Sequence, residues 1–188
     1  MSANKDVTST DGMHDSESGC RRIDLDLEVV LMKVVASVVA LICTGLAAGI
    51  FLGHRAGVSR AVPVLSPSSF IQLQQTITKT FSRMMPVFII GSVLGSVLWA
   101  VLLKACWRTG EFWLVSGAAL LMVCIATMTR AVNIPINNRL MTWNPAAPPP
   151  DLRPVWSRWE QIHSLRTFLA IIAFAAEVIA LRVFPGCS

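Results

Sequence analysis

Apolar residues are concentrated in four blocks that are separated by polar segments. Val34–Gly53 and Met84–Leu103 each contain 20 residues without a charge, and Phe112–Thr129 contains 18. The fourth block, Thr167–Leu181, has 15 residues and includes Glu177. A bilayer core about 30 Å thick requires roughly 20 helical residues, and a helix satisfies its backbone polar groups internally. We therefore predict an all-α, four-helix transmembrane bundle, with spans at about 27–53, 84–103, 112–131 and 163–184.

The composition agrees with a membrane protein and excludes several soluble classes. Hydrophobic residues make up 54% of the 188 residues and charged residues only 14%, with a mean hydropathy of +0.60. About a quarter of the residues of a soluble domain are charged. A disordered chain, a coiled coil and a disulfide-rich secreted module are therefore excluded. Residues 1–26 are polar and carry five acidic residues by Asp24, so we predict a disordered tail there and one transmembrane domain over residues 27–188.

A further helical pattern lies between the first two blocks. Apolar residues recur there at steps of three and four, at Phe70, Leu73, Ile77, Phe81 and Met84. This spacing is typical of an amphipathic helix. We predict a separate helix in the first loop, which lies at the membrane interface or caps the bundle.

Small residues form stripes on the first two predicted spans. The first span carries glycines four residues apart, at Gly45, Gly49, Gly53 and Gly57, and the second carries Gly91 and Gly95. Such stripes let neighbouring helices approach closely. Two interpretations stay open: packing inside one bundle, and a homo-oligomer that forms through the glycine-rich faces.

Two charged residues fall inside predicted spans. Lys33 and Glu177 lie six and seven residues from the same end of the bundle, a depth of about 10 Å at 1.5 Å per residue. Intramembrane charges are costly unless they are paired. We predict a Lys33–Glu177 ion pair between the first and fourth helices, whose role is either structural or catalytic.

Polar and aromatic residues converge at the opposite end of the predicted bundle. A histidine there can take or give a proton, arginine and asparagine can hold an oxyanion, and indoles offer surfaces for a flat apolar substrate. No metal-binding or phosphate-binding motif is present, so we expect no metal site. The predicted catalytic residues are His163, Arg166, Asn133 and Asn137, and the predicted substrate-binding residues are Trp156, Trp159, Arg139 and His54.

Two motifs among these residues resemble those of the anthrone oxygenase family of small membrane proteins. They are Asn133-x-Pro135-Ile136-Asn137-x-x-Leu140 and Trp156-x-x-Trp159-x-x-x-His163-x-x-Arg166-Thr167. Fungal members of this family are associated with polyketide pathways. The resemblance implies oxidation of an anthrone to an anthraquinone without a prosthetic group, with molecular oxygen as the co-substrate. It also implies an integral, multi-pass protein of the endoplasmic reticulum or another endomembrane.

Under this resemblance, His163 is expected to remove a proton from the anthrone. Arg166, Asn133 and Asn137 are expected to stabilise the enolate oxygen, with Trp156 or Trp159 stacked on the rings. The expected partners are a small aromatic polyketide and membrane lipid, and no nucleic acid. Two alternatives stay open: another membrane-embedded tailoring enzyme, such as a cyclase or an isomerase, and a non-enzymatic four-span scaffold.

Overall fold

The computed structural model describes residues 11–183, with side chains at residue 25 and from residue 27 to residue 182. The chain is almost entirely helical over this range. Its elements are α1 (Asp11–Gly53), a first π-helical segment (His54–Val58), α2 (Ser59–Ala61), a 3-10 turn (Val62–Val64), α3 (Pro67–Leu102), a second 3-10 turn (Lys104–Cys106), α4 (Gly110–Met128), a second π-helical segment (Thr129–Asn133), α5 (Ile134–Met141) and α6 (Leu152–Val183).

Consecutive elements join into four helical stretches that are long and apolar enough to cross a membrane. These stretches are Leu27–Val64, Pro67–Leu102, Gly110–Met141 and Leu152–Arg182. The predicted all-α, four-span architecture of a multi-pass membrane protein is thereby confirmed. Each stretch is longer than predicted, because the polar segments at one end of the bundle are helical as well.

Part of the predicted disordered tail is helical. Helix α1 begins at Asp11, so residues 11–26 belong to it, and the first ten residues of the tail lie outside the described residues. By its internal contacts the chain divides after Val35, and the bundle described below is the unit that begins at Ala36.

The amphipathic segment of the first loop is not a separate interfacial helix. It forms the first turns of α3, which continues without a break from Pro67 to Leu102 and contains Pro86. Ser66 caps the helix, because its side-chain oxygen accepts a hydrogen bond from the Ser69 amide. Of the apolar residues in the sequence pattern, Phe70 is buried, Leu73, Ile77 and Phe81 are half-buried, and Met84 is exposed.

The bundle core combines alanines with a few large apolar side chains, and many other large apolar side chains are exposed on the outside. The largest core cluster combines α1, α3, α4 and α6 through Ala48, Phe51, Ile89, Ala118, Met122, Ile125, Ala170 and Ala173. Val87, Leu94, Leu120 and Phe168 are each more than 60% exposed. An outer surface of this kind suits hydrocarbon rather than water, which agrees with a membrane location.

Glu177 lies in a buried layer of hydroxyl groups. Its Oε1 atom accepts a hydrogen bond from Ser96 at 2.6 Å and from Thr44 at 3.2 Å. Thr44 also bonds the hydroxyl of Ser92 at 2.5 Å. The partners of this carboxyl group inside the bundle are therefore hydroxyls contributed by α1 and α3. The Lys33–Glu177 ion pair stays a prediction, since Lys33 belongs to the unit that ends at Val35.

Two of the small residues on α3 set how closely it approaches α1. A Cβ atom at Gly95 would lie 2.7 Å from the backbone nitrogen of Ala40, and one at Gly91 would lie 2.7 Å from the Cys43 sulfur. A Cβ atom at Gly49 would have no heavy atom within 4 Å. The α3 glycines thus act in packing inside the bundle, and homo-oligomer formation through the α1 stripe stays a prediction.

We expect Gly95→Ala to destabilise the bundle by about 1–3 kcal/mol, because its methyl group meets the α1 backbone, which cannot move aside alone. Gly49→Ala is the matched control and should change stability by less than about 1 kcal/mol, in the stabilising direction, since alanine favours a helix. Thermal unfolding of the full chain in detergent measures both values. Equal midpoints for the two variants would contradict the close approach at Gly95.

Candidate active site

Both π-helical segments lie at the same end of the bundle and deliver polar residues to its interior. The first follows α1 and begins with His54, and the second follows α4 and runs from Thr129 to Asn133. A π-helix is rare and occurs mostly as a single turn at functional sites. The second segment leads directly into α5, which begins at Ile134 with Pro135 in its first turn.

These segments border a cavity with a volume of about 510 Å³. We call it the main cavity because it contains most of the predicted site residues. Its walls come from the end of α1, the first half of α3, the α4–α5 junction and the start of α6, and most of the lining is apolar. The polar lining at one end includes His54, Gln74, Thr129, Asn133, Asn137, His163 and Arg166. A cavity of this size and composition is typical of a site for a small organic ligand.

A column of stacked rings on α6 borders the cavity through two of its members, Trp159 and His163. Trp156, Trp159 and His163 follow each other at steps of three and four residues, so they share one face of the helix. The ring centres of the two indoles lie 4.5 Å apart, with an angle of 14° between the ring planes. The Trp159 and His163 ring centres lie 4.7 Å apart, with an angle of 17° between the planes. His54 packs against the side of this column, 5.1 Å from Trp159 and 4.7 Å from His163.

Arg166 is buried to 4% exposure, and uncharged groups hold it. Its Nη1 donates a hydrogen bond to the Thr129 hydroxyl at 2.8 Å, and its Nη2 donates to His163 Nδ1 at 3.1 Å. The guanidinium carbon lies 4.8 Å from the centre of the Phe51 ring, in a cation–π contact. Among the described residues, no carboxylate forms an ion pair with Arg166. The cavity wall therefore contains a positive charge without a counter-charge.

Both ring nitrogens of His163 are engaged by the protein. Nδ1 accepts from Arg166, because a guanidinium can only donate, and Nε2 donates to the Phe51 carbonyl oxygen at 3.2 Å, because a carbonyl can only accept. This arrangement fixes the neutral tautomer with its hydrogen on Nε2. Thr167 donates its hydroxyl hydrogen to the His163 carbonyl at 2.8 Å and holds the same turn.

The side-chain oxygens of Asn137 and Asn133 accept hydrogen bonds from the Trp159 indole. Its Nε1 donates to Asn137 Oδ1 at 2.8 Å. With the Asn133 amide oriented so that its oxygen faces the donors, that oxygen accepts from Trp159 Nε1 at 3.0 Å and from Arg166 Nη2 at 3.2 Å. These residues form one connected network across the α4–α5 junction and α6.

Two polar side chains of the cavity lie outside this network. Both ring nitrogens of His54 are buried without a hydrogen-bond partner, and so is Nε2 of Gln74, a residue that is 2% exposed. A buried polar group without a partner costs free energy, about 1–3 kcal/mol. These two side chains therefore line the cavity with buried polar atoms whose hydrogen-bonding capacity the protein itself does not use.

The structure brings together six of the eight residues predicted for the site. Trp156 and Arg139 differ from the rest. Trp156 faces a second cavity, of about 750 Å³, and supports Trp159 from behind. Arg139 does not line the main cavity: it is exposed and forms an ion pair with Asp151. It lies two residues beyond Asn137, which on a helix turns it to the opposite side.

Gln74, Thr129 and Phe51 are three of the cavity residues that the sequence patterns do not predict. Gln74 falls in the segment predicted as an interfacial helix, and it lies three residues before Ile77 on the inward face of α3. Thr129 was treated as the last residue of an apolar block. Phe51 contributes its backbone carbonyl, and no side-chain pattern could reveal that role. Among the described residues, no group of three His, Cys, Asp or Glu side chains is placed to hold a metal ion.

Fold and site together define a small multi-pass membrane protein whose helices enclose an aromatic, hydrogen-bonding cavity. The model of the anthrone oxygenase family matches residues 74–176, more than half of the chain, and the protein belongs to that family. The match includes the cavity residues from α3 to α6 but not His54. No curated protein and no solved structure shows significant similarity to the chain.

We expect Trp159→Phe to lower the free energy of unfolding by about 1–3 kcal/mol, because the ring is kept while the amide oxygens of Asn137 and Asn133 lose their indole donor. Trp113→Phe is the matched control: Trp113 is 62% exposed and its replacement should be close to neutral. Unfolding of both variants in detergent tests this. Equal losses would mean that the indole hydrogen bond does not hold the network.

Proposed function

We propose that the protein is an oxygenase that converts an anthrone-type polyketide to an anthraquinone. The observation that carries this proposal is the buried Arg166 guanidinium, which has no counter-charge among the described residues and lies in the wall of an aromatic cavity. A positive charge in a low-dielectric site stabilises a negative charge that develops on the ligand. An anthrone becomes anionic when it loses a proton from its methylene carbon, since the electron pair is delocalised onto the ketone oxygen.

The proposed reaction needs molecular oxygen as the second substrate. A base of the cavity removes one methylene proton, and the resulting enolate gives its electrons to O₂, so that a carbon–oxygen bond forms and a peroxide results. The peroxide is protonated. Loss of the second methylene proton and departure of hydroxide from the O–O bond then produce the new ketone and water. One anthrone and one O₂ thus give one anthraquinone and one water, and no external reductant is required.

The cavity suits both substrates. Trp159 and the side chains of Phe51 and Phe81 are the aromatic residues of its lining, and flat rings pack favourably against such surfaces. The mostly apolar lining also suits O₂ and a polycyclic substrate that partitions into lipid. This fits a location in an endomembrane such as the endoplasmic reticulum, with oxygen as the co-substrate and no prosthetic group.

Oxygen uptake tests this proposal. Membranes that contain the protein should consume one O₂ per anthrone, and with ¹⁸O₂ one labelled oxygen atom should appear in the quinone, without release of hydrogen peroxide. Heat-inactivated membranes correct for spontaneous oxidation of the anthrone. A cyclase or an isomerase would transform its substrate without oxygen uptake, and a scaffold would give the rate of the blank.

We expect Ala126→Phe to reduce anthrone turnover at least about 100-fold, because the new ring occupies the cavity and displaces the substrate from the reacting groups. Ala126 lines the cavity one helical turn before Thr129 and contributes no side-chain hydrogen bond to the polar network. Leu120→Phe is the matched control on the same helix, since Leu120 is 64% exposed on the outer surface, and it should retain full turnover. Activity of both variants at the wild-type level would place the reaction elsewhere in the molecule.

A further inference from the structure

The buried polar side chains of the cavity include a closed network and two side chains that do not belong to it. In the network, Arg166 donates to His163, to Asn133 and to Thr129. Trp159 also donates to Asn133, and His163 donates to the Phe51 carbonyl. His54 and Gln74 do not take part in this network. We propose that His54 is the base that takes the methylene proton and that Gln74 is the donor that holds the ketone oxygen of the substrate. This inference rests on the proposed function and assigns its reacting groups.

His163 was the expected base, but its position suits a different role. The lone pair that a neutral imidazole uses to accept a proton is on Nδ1, and Arg166 Nη2 lies 3.1 Å from it. The other nitrogen donates to the Phe51 carbonyl. His163 could accept a substrate proton only if it first separated from Arg166 or from that carbonyl. It therefore acts as a positioning residue, which fixes the guanidinium in the cavity wall.

His54 has the free capacity that His163 lacks. Neither of its nitrogens has a partner among the described residues, and its ring lines the main cavity beside Trp159 and His163. One nitrogen of a neutral imidazole always carries an available lone pair. The first π-helical segment begins at this residue. A substrate with an acidic C–H group supplies the proton that His54 can accept.

Gln74 offers the complementary group from a different helix of the cavity lining. It lies on α3, is almost fully buried, and its amide nitrogen has no partner. An amide N–H can bond a ketone oxygen and bonds the enolate oxygen more strongly, so it stabilises the transition state more than the bound substrate. Gln74 and the positive charge of Arg166 would together stabilise the anion that His54 creates.

In this assignment His54 handles every proton of the reaction. It takes the first methylene proton, and the electron pair of that C–H bond moves to the ketone oxygen. It returns this proton to the peroxide after O₂ has added. It then takes the second methylene proton while the O–O bond breaks, and it gives that proton to the departing hydroxide. The imidazole is neutral again when anthraquinone and water leave.

The proton-transfer step can be measured without oxygen. Under anaerobic conditions in D₂O, the wild-type protein should exchange the methylene hydrogens of an anthrone faster than the blank, as mass spectrometry can show. His54→Gln should reduce this exchange at least about 100-fold, and added imidazole should restore part of it in His54→Ala. Gln74→Met should reduce it by about 10-fold to 100-fold.

Leu120→Phe, which changes an exposed residue of the outer surface, is the matched control and should exchange at the wild-type rate. His163→Asn keeps an oxygen that can accept from Arg166, so it should lose less exchange than His54→Gln, because it alters the position of the guanidinium and leaves the base in place. Thermal stabilisation by the anthraquinone product shows that each variant is folded and binds ligand.

The outcomes separate the two proposals. If the wild-type protein neither exchanges the hydrogens nor consumes oxygen, the proposed function is wrong. If the wild-type protein oxidises the anthrone and His54→Gln exchanges at its rate, the assignment of His54 is overturned while the function stands. Loss of exchange in His163→Asn alone, in a variant that binds product, would return the role of base to His163.

Discussion

A guanidinium fixed inside an apolar bundle is the interaction on which the rest of the site depends. Transfer of an ionised group out of water is costly unless hydrogen bonds replace its hydration. Thr129, His163, Asn133 and the Phe51 ring replace it around Arg166. Each contact satisfies the hydrogen bonding of the cation and leaves its charge uncompensated. The positive potential is thereby preserved for whatever enters the cavity.

The same network explains why two histidines at 4.7 Å from each other have different properties. One is bonded at both nitrogens and has a fixed tautomer and orientation. The other is surrounded by rings and retains its full bonding capacity. Rigid support next to an open group is the arrangement that preorganised sites require, since the support must not reorganise when the ligand reacts. His163 therefore supports the site, and the neighbouring His54 is the residue that is free to react.

Sequence reasoning reached the four spans and most of the cavity, for reasons that are physical. Uncharged blocks identify membrane helices, and helical spacing places Trp159, His163 and Arg166 on one face. The same reasoning failed at Gln74. Counting uncharged residues began the second span at Met84, so Gln74, which lies earlier on the same helix, was left outside the span. It also failed at Arg139. This residue was included because it is close in sequence to Asn137, but its side chain points to a different face of the helix. Hydrogen-bond occupancy, which separates His54 from His163, depends on backbone carbonyls that no residue pattern reveals.

The two π-helical segments have a consequence for how such a cavity can arise. A π turn holds one more residue than the α turn it replaces, so everything beyond it is rotated by about 100° relative to an uninterrupted helix. Inserting a single codon into a plain membrane helix is enough to swing a lipid-facing side chain toward the interior. The inward positions of His54 and Asn133 therefore each depend on a single extra residue in the turn that holds them.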